Sequence, residues 1–409
     1  MLKLGIKVFC GLSRFVYFFL KLFSTRNKIC LFSRQGDKPS LDISLLQAEL
    51  QKLLPDYEFV CKCKMVGNDV FAIVRYWPYM VTQMYHIATS KLVILDRYCI
   101  PISILKHKPE LCVIQIWHAI GLMKKAGYTS AGFTEGRSGE IATLLNMHRG
   151  YTHILVSSPL CASAMLETFG YTGSIHAKGN APIPKVIIGA LPRVDYLQSE
   201  MAAAEVRLRF YERYPQLQEK KLILYAPTSR NDDTDLNREI EKLAAAVSLA
   251  NEHGDDFALV VKFHPVRGGV QAKLPPQFIQ SQRDNQATKD SNLLFDERFS
   301  SVEIGMIADA CISDYSSIIF EFLAMEKPTY FFAFDLERYN VSRGFYVDYE
   351  KEIPGIIHRT AEDVISAILR VDYSPEHQRE FLSKYVTLSD KSNTRHLAEA
   401  IAAGFDEKR

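Results

Sequence analysis

The sequence lacks the short motifs of three common catalytic machineries. It contains no GxxxxGKS/T, no HExxH and no GxSxG, which mark P-loop nucleotide hydrolases, zinc peptidases and α/β-hydrolases. Low-complexity segments and glycine-rich repeats are also missing. A net charge of +2 over 409 residues gives no global field that would attract a polyanion. We therefore expect no nucleic-acid partner.

Cysteines are few and scattered, with eight along the whole chain. Cys61 and Cys63 are close in sequence, but their spacing suits one face of a strand. No second Cys/His pair completes a zinc site. This usage is typical of reduced, buried thiols and indicates a cytosolic location.

Long apolar runs are missing as well, although the N-terminus is rich in Leu, Ile, Val and Phe. The uninterrupted run Phe15–Leu20 is far too short to span a bilayer. A signal peptide is disfavoured because Lys21 occupies the cleavage region. Four basic residues share one side of a predicted helix over residues 2–23: Lys3, Lys7, Arg14 and Lys21. Such a helix lies either on an anionic membrane surface, which we favour, or packed on the protein itself.

From Lys28 onward, apolar strands alternate with helical patterns. In the first half, strands are predicted at Lys28–Ser33, Tyr57–Cys63, Leu92–Leu95, Leu111–Trp117, His153–Val156 and Val186–Ile188. After a polar linking helix, strands are predicted at Leu222–Ala226, Phe257–Phe263, Leu293–Phe295, Ala310–Ser313 and Thr329–Phe332. Repeated βα units predict an α/β fold of parallel sheets covered by helices. We assign residues 1–26 to the amphipathic helix, 27–200 to one Rossmann-like domain and 201–409 to another.

Polar side chains collect where the predicted strands end, which is where open α/β sheets bind ligands. The set contains His118, Lys124, Thr228, Arg230, His264, Asp314, Ser316 and Ser317, and further along Arg343; Gly121 and Pro265 lie in the same segments. It is rich in cations and hydroxyls and poor in the paired carboxylates of glycosidases. This composition favours a phosphate ester or pyrophosphate ligand.

Each part of this set also has a simpler interpretation. Ser316 and Ser317 begin a helix, where small hydroxyl residues either receive an anion or act as ordinary caps. A single histidine at a strand end is commonly a structural hydrogen-bonding group. The acidic residues Asp232, Asp233 and Asp235 are more simply helix caps than metal ligands.

Six motifs in a fixed order add a resemblance to these residue-level arguments. They are Gln115-Ile116-Trp117-His118, Leu191-Pro192-Arg193-Val194-Asp195, Leu224-Tyr225-Ala226-Pro227-Thr228-Ser229-Arg230, Lys262-Phe263-His264-Pro265, Ser313-Asp314-Tyr315-Ser316-Ser317 and Arg343-Gly344-Phe345-Tyr346. Together they resemble the CDP-glycerol:glycerophosphate glycerophosphotransferase family of teichoic-acid and capsule synthesis. The resemblance covers about residues 90–400. It implies a GT-B fold, with two Rossmann-like domains facing a cleft and the terminal helices packing back.

The resemblance also implies roles for single residues. His118 matches the histidine implied to be the general base. His264 matches one implied to contact the donor pyrophosphate, and both histidines are assigned to the catalytic residues. The other implied donor-binding residues are Thr228, Arg230, Pro265, Asp314, Ser316, Ser317 and Arg343. The acceptor side is assigned Gly121, Lys124, Arg193 and Asp195. Ala119-Ile120-Gly121 departs from the Gly-Thr-Pro-like sequence often found after the first histidine, which leaves acceptor and polyol specificity open.

The implied reaction is polyol-phosphate transfer. An acceptor hydroxyl attacks the distal phosphorus of CDP-glycerol or CDP-ribitol, and CMP leaves. Because cations and helix amides supply positive charge, no metal is expected to be obligatory, and Mg²⁺ binding is left open. The expected partners are the CDP-polyol, a lipid-linked glycosyl or polyol-phosphate acceptor and an anionic membrane surface. We expect a peripheral location on the cytoplasmic face of the bacterial cell membrane.

Two other classes of function are compatible with the sequence. A GT-B sugar transferase or sugar-nucleotide epimerase would share the fold but act at a sugar carbon. A non-catalytic, membrane-bound scaffold is less favoured because the His/Arg/Ser set at the strand ends is intact. The choice of polyol, and whether one unit or a polymer is made, stay open.

Overall fold

The computed structural model describes residues 2–65, 70–134, 139–173, 182–230, 234–263 and 292–406. The chain forms two compact units. Unit 1 comprises Met1–Asp195 and Tyr385–Arg409, and unit 2 comprises Tyr196–Lys384. Within the described ranges, no helix has both the length and the apolar character needed to cross a bilayer.

The helices of the described residues are as follows in chain order. They are α1 (Leu2–Leu20), α2 (Leu41–Leu53), α3 (Val70–Thr89), α4 (Ile100–Ile104), α5 (Gly139–Leu144), α6 (Ala162–Thr168), α7 (Arg193–Leu197), α8 (Glu200–Arg213), α9 (Thr234–Glu252), α10 (Ser301–Ile307), α11 (Ile318–Ala324), α12 (Leu336–Arg343), α13 (Tyr349–Glu352), α14 (Ala361–Leu369), α15 (Pro375–Tyr385) and α16 (Asn393–Asp406).

Unit 1 is built on a six-stranded parallel sheet. Its strands are β1 (Lys28–Ser33), β2 (Glu58–Cys63), β3 (Leu92–Leu95), β4 (Cys112–Gln115), β5 (His153–Val156) and β6 (Lys185–Ile188), in the spatial order β2-β1-β3-β4-β5-β6. The four inner strands are buried along their whole length. Continuous apolar runs such as LVIL in β3 suit such strands, because helices cover both faces of the sheet.

Helix α2 receives the C-terminal helix of the chain. Oγ of Ser40 accepts a hydrogen bond from the backbone N–H of Ile43 over 3.4 Å and so caps α2. The C-terminal helix α16 packs against α2. Phe405 of α16 meets the ring of Tyr57 edge-on at 5.6 Å. The last helix of the chain is therefore part of unit 1.

Helix α1 packs on α3, α4 and α5 through one face and exposes an apolar surface on another. Ser13 and Tyr17 are buried on the inner face, where the hydroxyl of Tyr17 is hydrogen-bonded to Nδ1 of His107 at 2.9 Å. The exposed apolar surface, here called the α1 outer face, consists of Leu4, Val8, Leu12, Phe15, Phe18 and Phe19. Given the helical repeat, Lys3, Lys7 and Arg14 lie between these two faces, and Lys21 follows the end of the helix.

Unit 2 repeats the architecture with a second six-stranded parallel sheet. Its strands are β7 (Lys221–Ala226), β8 (Phe257–Val261), β9 (Leu293–Phe295), β10 (Ala310–Ser313), β11 (Thr329–Phe332) and β12 (Ile357–His358), in the order β12-β11-β10-β7-β8-β9. Separate apolar clusters cover its two faces, one including residues of α9 and α14 and the other residues of α8, α10 and α11.

The predicted α/β fold with two parallel sheets is confirmed. Some boundaries differ: β4 ends at Gln115, two residues before the predicted end, because Trp117 has a positive φ of 63° that breaks the extended backbone. The short edge strand β12 was not predicted, since two residues carry no periodicity. The predicted domain ranges stay predictions.

Candidate functional site

The turn after β4 carries His118. Oε1 of Gln115 accepts a hydrogen bond from the backbone N–H of Trp117 over 2.9 Å. Nε2 of Gln115 donates to the carbonyl of Arg97 over 3.2 Å and to the hydroxyl of Tyr151 over 3.0 Å. The last residue of the strand thus holds the turn through its side chain. The ring of His118 lies 4.2 Å from the ring of Trp117.

Trp117 holds a backbone conformation that bulky residues rarely adopt. A left-handed conformation costs about 1–2 kcal/mol for an L-residue, and such strain is concentrated at functional sites. Aromatic packing fixes the side chain, since the rings of Phe169 and His148 lie 5.2 and 5.7 Å from it. The surrounding cluster therefore maintains the strained turn that presents His118.

Arg193, predicted on the acceptor side, begins α7 and bonds Asp42. Its backbone N–H donates to Oδ1 of Asp42 over 2.9 Å, and its Nε donates to Oδ2 over 2.8 Å. Nη2 contacts the same carboxylate and also donates to the carbonyl of His118 over 3.4 Å. Arg193 therefore joins the start of α2 to the His118 turn.

Asp195, also predicted on the acceptor side, has its carboxylate occupied at the start of α16. It accepts hydrogen bonds from the hydroxyl of Ser392 at 2.7 Å, from the backbone and side-chain amides of Asn393 at 2.8 and 2.9 Å, and from the backbone of Thr394 at 2.9 Å. Burial alone would raise the pKa of Asp195, but these hydrogen bonds lower it. The structure thus gives Asp195 an anchoring position for the C-terminal helix.

The other predicted acceptor-side residues follow His118 in the same loop. Gly121 is buried and has a φ of 65°, which side-chain-bearing residues rarely adopt. Lys124 is half-buried three residues later. Both residues belong to the segment that follows β4. Arg193 contacts the His118 turn from α7.

In unit 2, Arg230 lies in a network of buried charges. Its Nη2 donates to Oδ2 of Asp314 over 2.9 Å and to Oδ1 of Asp335 over 2.8 Å, and its Nε donates to Oδ2 of Asp335 over 2.8 Å. Nη1 donates to the carbonyl of Thr228 over 2.7 Å. Arg230 is only 4% exposed. Its described contacts are thus with the protein itself, so it organises the strand ends of β7 and β10.

Aromatic rings surround this guanidinium. Its central carbon lies 4.8 Å from the ring of Phe334 and 5.7 Å from the rings of Tyr315 and Tyr339. Burial opposes the charged form of Arg230, but the carboxylates of Asp314 and Asp335 outweigh it and raise its pKa well above the usual value.

Asp314 connects this network to the predicted donor turn. Its Oδ1 accepts hydrogen bonds from the backbone of Thr228 over 2.8 Å and of Tyr315 over 2.7 Å. Two half-buried serines follow, and Ser317 precedes α11 without a side-chain capping bond. Oγ1 of Thr228 is buried and has no hydrogen-bond partner among the described residues. Hydroxyl side chains thus follow the ends of both β7 and β10.

Arg343 ends α12 and precedes Gly344, whose φ is 72°. The next residue, Phe345, stacks on Tyr349 with ring centroids 5.3 Å apart. The hydroxyl of Tyr349 donates to the carbonyl of Asp314 over 2.8 Å. The segment after Arg343 is therefore tied to the predicted donor turn.

His264 and Pro265 lie outside the described residues, as do Asp232 and Asp233. The strand end before His264 is described: Lys262 is buried and pairs with Oδ2 of Asp296 over 3.1 Å. Across the parts of the chain that the structure describes, no group of His, Cys, Asp and Glu side chains is arranged to hold a metal ion.

A family comparison identifies what these strand-end residues belong to. The model of the family described as CDP-glycerol:poly(glycerophosphate) glycerophosphotransferase matches residues 14–403. The chain belongs to this family. The predicted resemblance and the predicted enzyme class, a glycerophosphotransferase-type transferase of teichoic acid synthesis, are thereby confirmed.

Individual relatives agree with the family. The chain is 26% identical over 377 residues to a teichoic acid ribitol-phosphate primase of Bacillus spizizenii, covering 91% of this chain and 86% of the relative. It is 28% identical over 404 residues to a teichoic acid poly(ribitol-phosphate) polymerase of the same organism, covering 98% of this chain but 60% of that longer protein.

Solved structures of the wall teichoic acid polymerase TagF share the fold. The first has a TM-score of 0.69 at 15% identity and covers 99% of this chain and 98% of its own. A variant soaked with CDPG has a TM-score of 0.68 at 16% identity with the same coverage. At 15–16% identity, the likeness to these structures establishes the fold and nothing about the activity.

The motifs of this glycerophosphotransferase did not reveal all residues that hold the strand ends. Asp335 and Asp42 both bind arginines, and neither was assigned a role from the sequence. Asp335 lies three residues after β11, so inspection of that strand end would have found it. Asp42 lies in the first turn of α2, where an acidic residue is an ordinary dipole partner.

Proposed function

We propose that this glycerophosphotransferase-family protein transfers glycerol phosphate or ribitol phosphate from a CDP-polyol to a hydroxyl of a lipid-linked acceptor. The acceptor oxygen forms a bond to the distal phosphorus, the bond from that phosphorus to the bridging oxygen breaks, and CMP leaves. The observation that carries this proposal is the family match over residues 14–403. It includes both strand-end clusters described above.

In this proposal His118 is the general base. A neutral imidazole takes the proton of the attacking hydroxyl, which contributes about 10²–10⁴-fold to turnover when the base is well placed. The strained, packed turn at Trp117 supports this assignment, because positioning is what such a base requires. Gly121 and Lys124 are assigned to the acceptor side.

The donor site in this proposal uses the hydroxyls of Thr228, Ser316 and Ser317, together with Arg343. Hydroxyls and cations stabilise negative charge that develops on the leaving CMP. Arg230 acts indirectly, by fixing Asp314 and hence the backbone of the turn. His264 and Pro265 keep their predicted donor-binding role. The predicted GT-B fold is part of the same proposal.

No metal has a part in the proposed step. Cationic and hydroxyl donors supply the charge stabilisation that a metal would otherwise provide. Turnover in EDTA should equal turnover in Mg²⁺ if this is correct. A strict Mg²⁺ requirement would show that the donor phosphates need a cation that the side chains do not replace.

We also propose that α1 attaches the enzyme to the cytoplasmic face of the bacterial cell membrane. The α1 outer face exposes three phenylalanines, with exposed fractions of 63% for Phe15, 60% for Phe18 and 50% for Phe19. The flanking lysines and arginine would each add about 1 kcal/mol near an anionic leaflet. Surface attachment would raise the rate of encounter with a lipid-linked acceptor.

A donor screen tests the proposed reaction. Purified enzyme is mixed with a lipid-linked acceptor in anionic vesicles and with CDP-glycerol, CDP-ribitol or UDP-sugars. We expect CMP release with one or both CDP-polyols and a product larger by one or more polyol-phosphate units in mass spectrometry. UDP release from a UDP-sugar, without CMP release, would instead favour a sugar transferase or epimerase.

A further inference from the structure

The Asp42–Arg193 pair lies beside the turn that carries the proposed base. Arg193 is predicted on the acceptor side, and Asp42 has no assigned role in the transfer. Asp42 is fully buried, and both of its carboxylate oxygens bind Arg193. One oxygen accepts from the backbone N–H at the start of α7, and the other from the side chain. The pair therefore fixes both the position of α7 and the orientation of the guanidinium.

The same guanidinium reaches the turn that carries the base. Its Nη2 donates to the carbonyl of His118 over 3.4 Å. On the other side of the turn, Oε1 of Gln115 accepts from the N–H of Trp117 over 2.9 Å. The strained peptide unit is thus held at both flanks, by the strand through Gln115 and by α2 through the ion pair.

We infer that Asp42 and Arg193 are positioning residues that hold the backbone of His118 in its productive place. This inference rests on the proposed function, in which His118 is the base. A left-handed Trp117 favours relaxation to another conformation once one tether is lost. Because a displacement of about 1 Å can cost roughly 10²-fold in rate, a weakened tether should act mainly on turnover.

The geometry favours this role over direct contact with an acceptor. The Nε and Nη2 donors of Arg193 are directed to Asp42 and to the His118 carbonyl, and the side chain is 15% exposed. A guanidinium has a planar fork that can bind a carboxylate and a carbonyl together, whereas a lysine ammonium is a single point charge. Arg193→Lys therefore keeps the charge and removes the double connection.

A double-mutant cycle tests the inference on the full chain. Arg193→Lys should lower kcat by about 10²-fold, with the Kd for CDP-polyol unchanged. In a His118→Ala background, the same substitution should change kcat less than about twofold, because interacting residues are not additive. Full additivity of the two effects would overturn the inference. Arg395→Gln, which removes an exposed arginine of α16, is the matched control and should leave kcat unchanged.

A second variant covers the case in which Arg193→Lys fails to fold. The double substitution Asp42→Asn with Arg193→Gln removes both charges, so no unpaired charge is left buried. Its amides retain hydrogen-bonding capacity but lose the charge-assisted fork. We expect the same loss of kcat and the same non-additivity with His118→Ala. Wild-type kcat in this folded variant would contradict the positioning role.

A readout independent of activity uses the tryptophans. The chain has two, Trp77 and Trp117. With Trp77→Phe and fluorinated tryptophan, one ¹⁹F resonance reports on the turn. Arg193→Lys should shift or broaden it, and Arg395→Gln should not. An unchanged resonance overturns the inference. This outcome can be read whether or not the wild-type enzyme transfers polyol phosphate, so it is distinct from a failure of the proposed function.

Discussion

Nη2 of Arg230 donates to Oδ2 of Asp314 over 2.9 Å inside the core of unit 2. Asp335 binds the same guanidinium, so the cation is balanced by carboxylates before any donor arrives. An arginine that the motifs assigned to the pyrophosphate thus has a second, structural explanation. Its effect on the donor would pass through Asp314, whose Oδ1 accepts from the backbone of Tyr315.

Arg230→Gln should destabilise the protein strongly. Removing the cation leaves Asp314 and Asp335 buried without their partner, which typically costs about 3–5 kcal/mol. The free energy of unfolding from urea denaturation measures this. Arg238→Gln is the matched control, because the side chain of Arg238 is 61% exposed in its ion pair with Asp235 and should contribute about 0–1 kcal/mol. Equal effects of the two substitutions would contradict a structural role for Arg230.

Asp335 should make stability depend on pH in the acid range. Burial alone would raise its pKa, but the hydrogen bond and charge of Arg230 and the hydroxyl of Tyr315 lower it below the usual value. A carboxyl with a lowered folded pKa stabilises the fold above its unfolded pKa of about 3.9. That stabilisation is lost as the pH falls through the folded pKa.

The comparison of wild type with Asp335→Asn tests this. The wild type should be more stable at neutral pH, and the difference in unfolding free energy should shrink below about pH 4. Asp256→Asn is the control, because the Asp256 side chain is 58% exposed in its ion pair with Lys220. Its free energy of unfolding should stay close to that of the wild type at neutral pH. A difference that is constant from pH 7 to pH 3 would show that the Asp335 carboxylate is not specifically stabilised.

Periodicity and motif order predicted the sheets and the side chains at their ends. Apolar runs such as Leu92–Leu95 are sufficient because inner parallel strands are buried on both faces. The hydrogen-bond partners of those side chains were harder to predict because they are distant in sequence. Asp42 and Arg193, for example, lie 151 residues apart. Local sequence cannot distinguish an aspartate that caps a helix from one that binds a distant arginine.

His118→Ala should lower turnover by about 10²–10⁴-fold, the usual contribution of a positioned base. Affinity for the CDP-polyol should change little, because the base acts on the acceptor hydroxyl. Steady-state kinetics and donor titration calorimetry measure the two effects separately. His396→Ala, which removes a histidine from α16 of the same unit, serves as a control. Turnover in His118→Ala close to the wild-type value would exclude the general-base role.

Alanine at Ser316 and Ser317 should weaken donor binding and slow transfer together. The lost hydroxyls would remove hydrogen bonds to the pyrophosphate in both the ground state and the transition state. Ser317 makes no side-chain capping bond to α11, so its loss should cost little stability.

The capping serine Ser300 of α10 provides the contrast. Ser300→Ala should reduce stability by about 1 kcal/mol and leave donor affinity unchanged. Donor affinity that stays constant in the Ser316 and Ser317 variants would count against the donor turn.

The α1 outer face should be required for membrane attachment and dispensable for folding. Deleting the whole helix would also remove Tyr17, whose hydroxyl is hydrogen-bonded to His107 in the interior of unit 1. Substituting exposed positions of the α1 outer face with glutamine is therefore the sharper test: Leu12, Phe15, Phe18 and Phe19. This variant should lose co-sedimentation with anionic vesicles, because apolar burial in the interface supplies much of the affinity.

The matched control places glutamine at exposed apolar positions of unit 2: Met201, Leu208, Leu249 and Val341. It should sediment like the wild type. Both variants should keep the wild-type melting temperature and turn over a short soluble acceptor at the wild-type rate, since the strand-end residues are unchanged. The α1 variant alone should slow with the vesicle-embedded acceptor, and its residual binding should fall as salt screens the neighbouring lysines. If it instead sediments as fully as the wild type, α1 is a helix packed on its own protein and the membrane contact lies elsewhere.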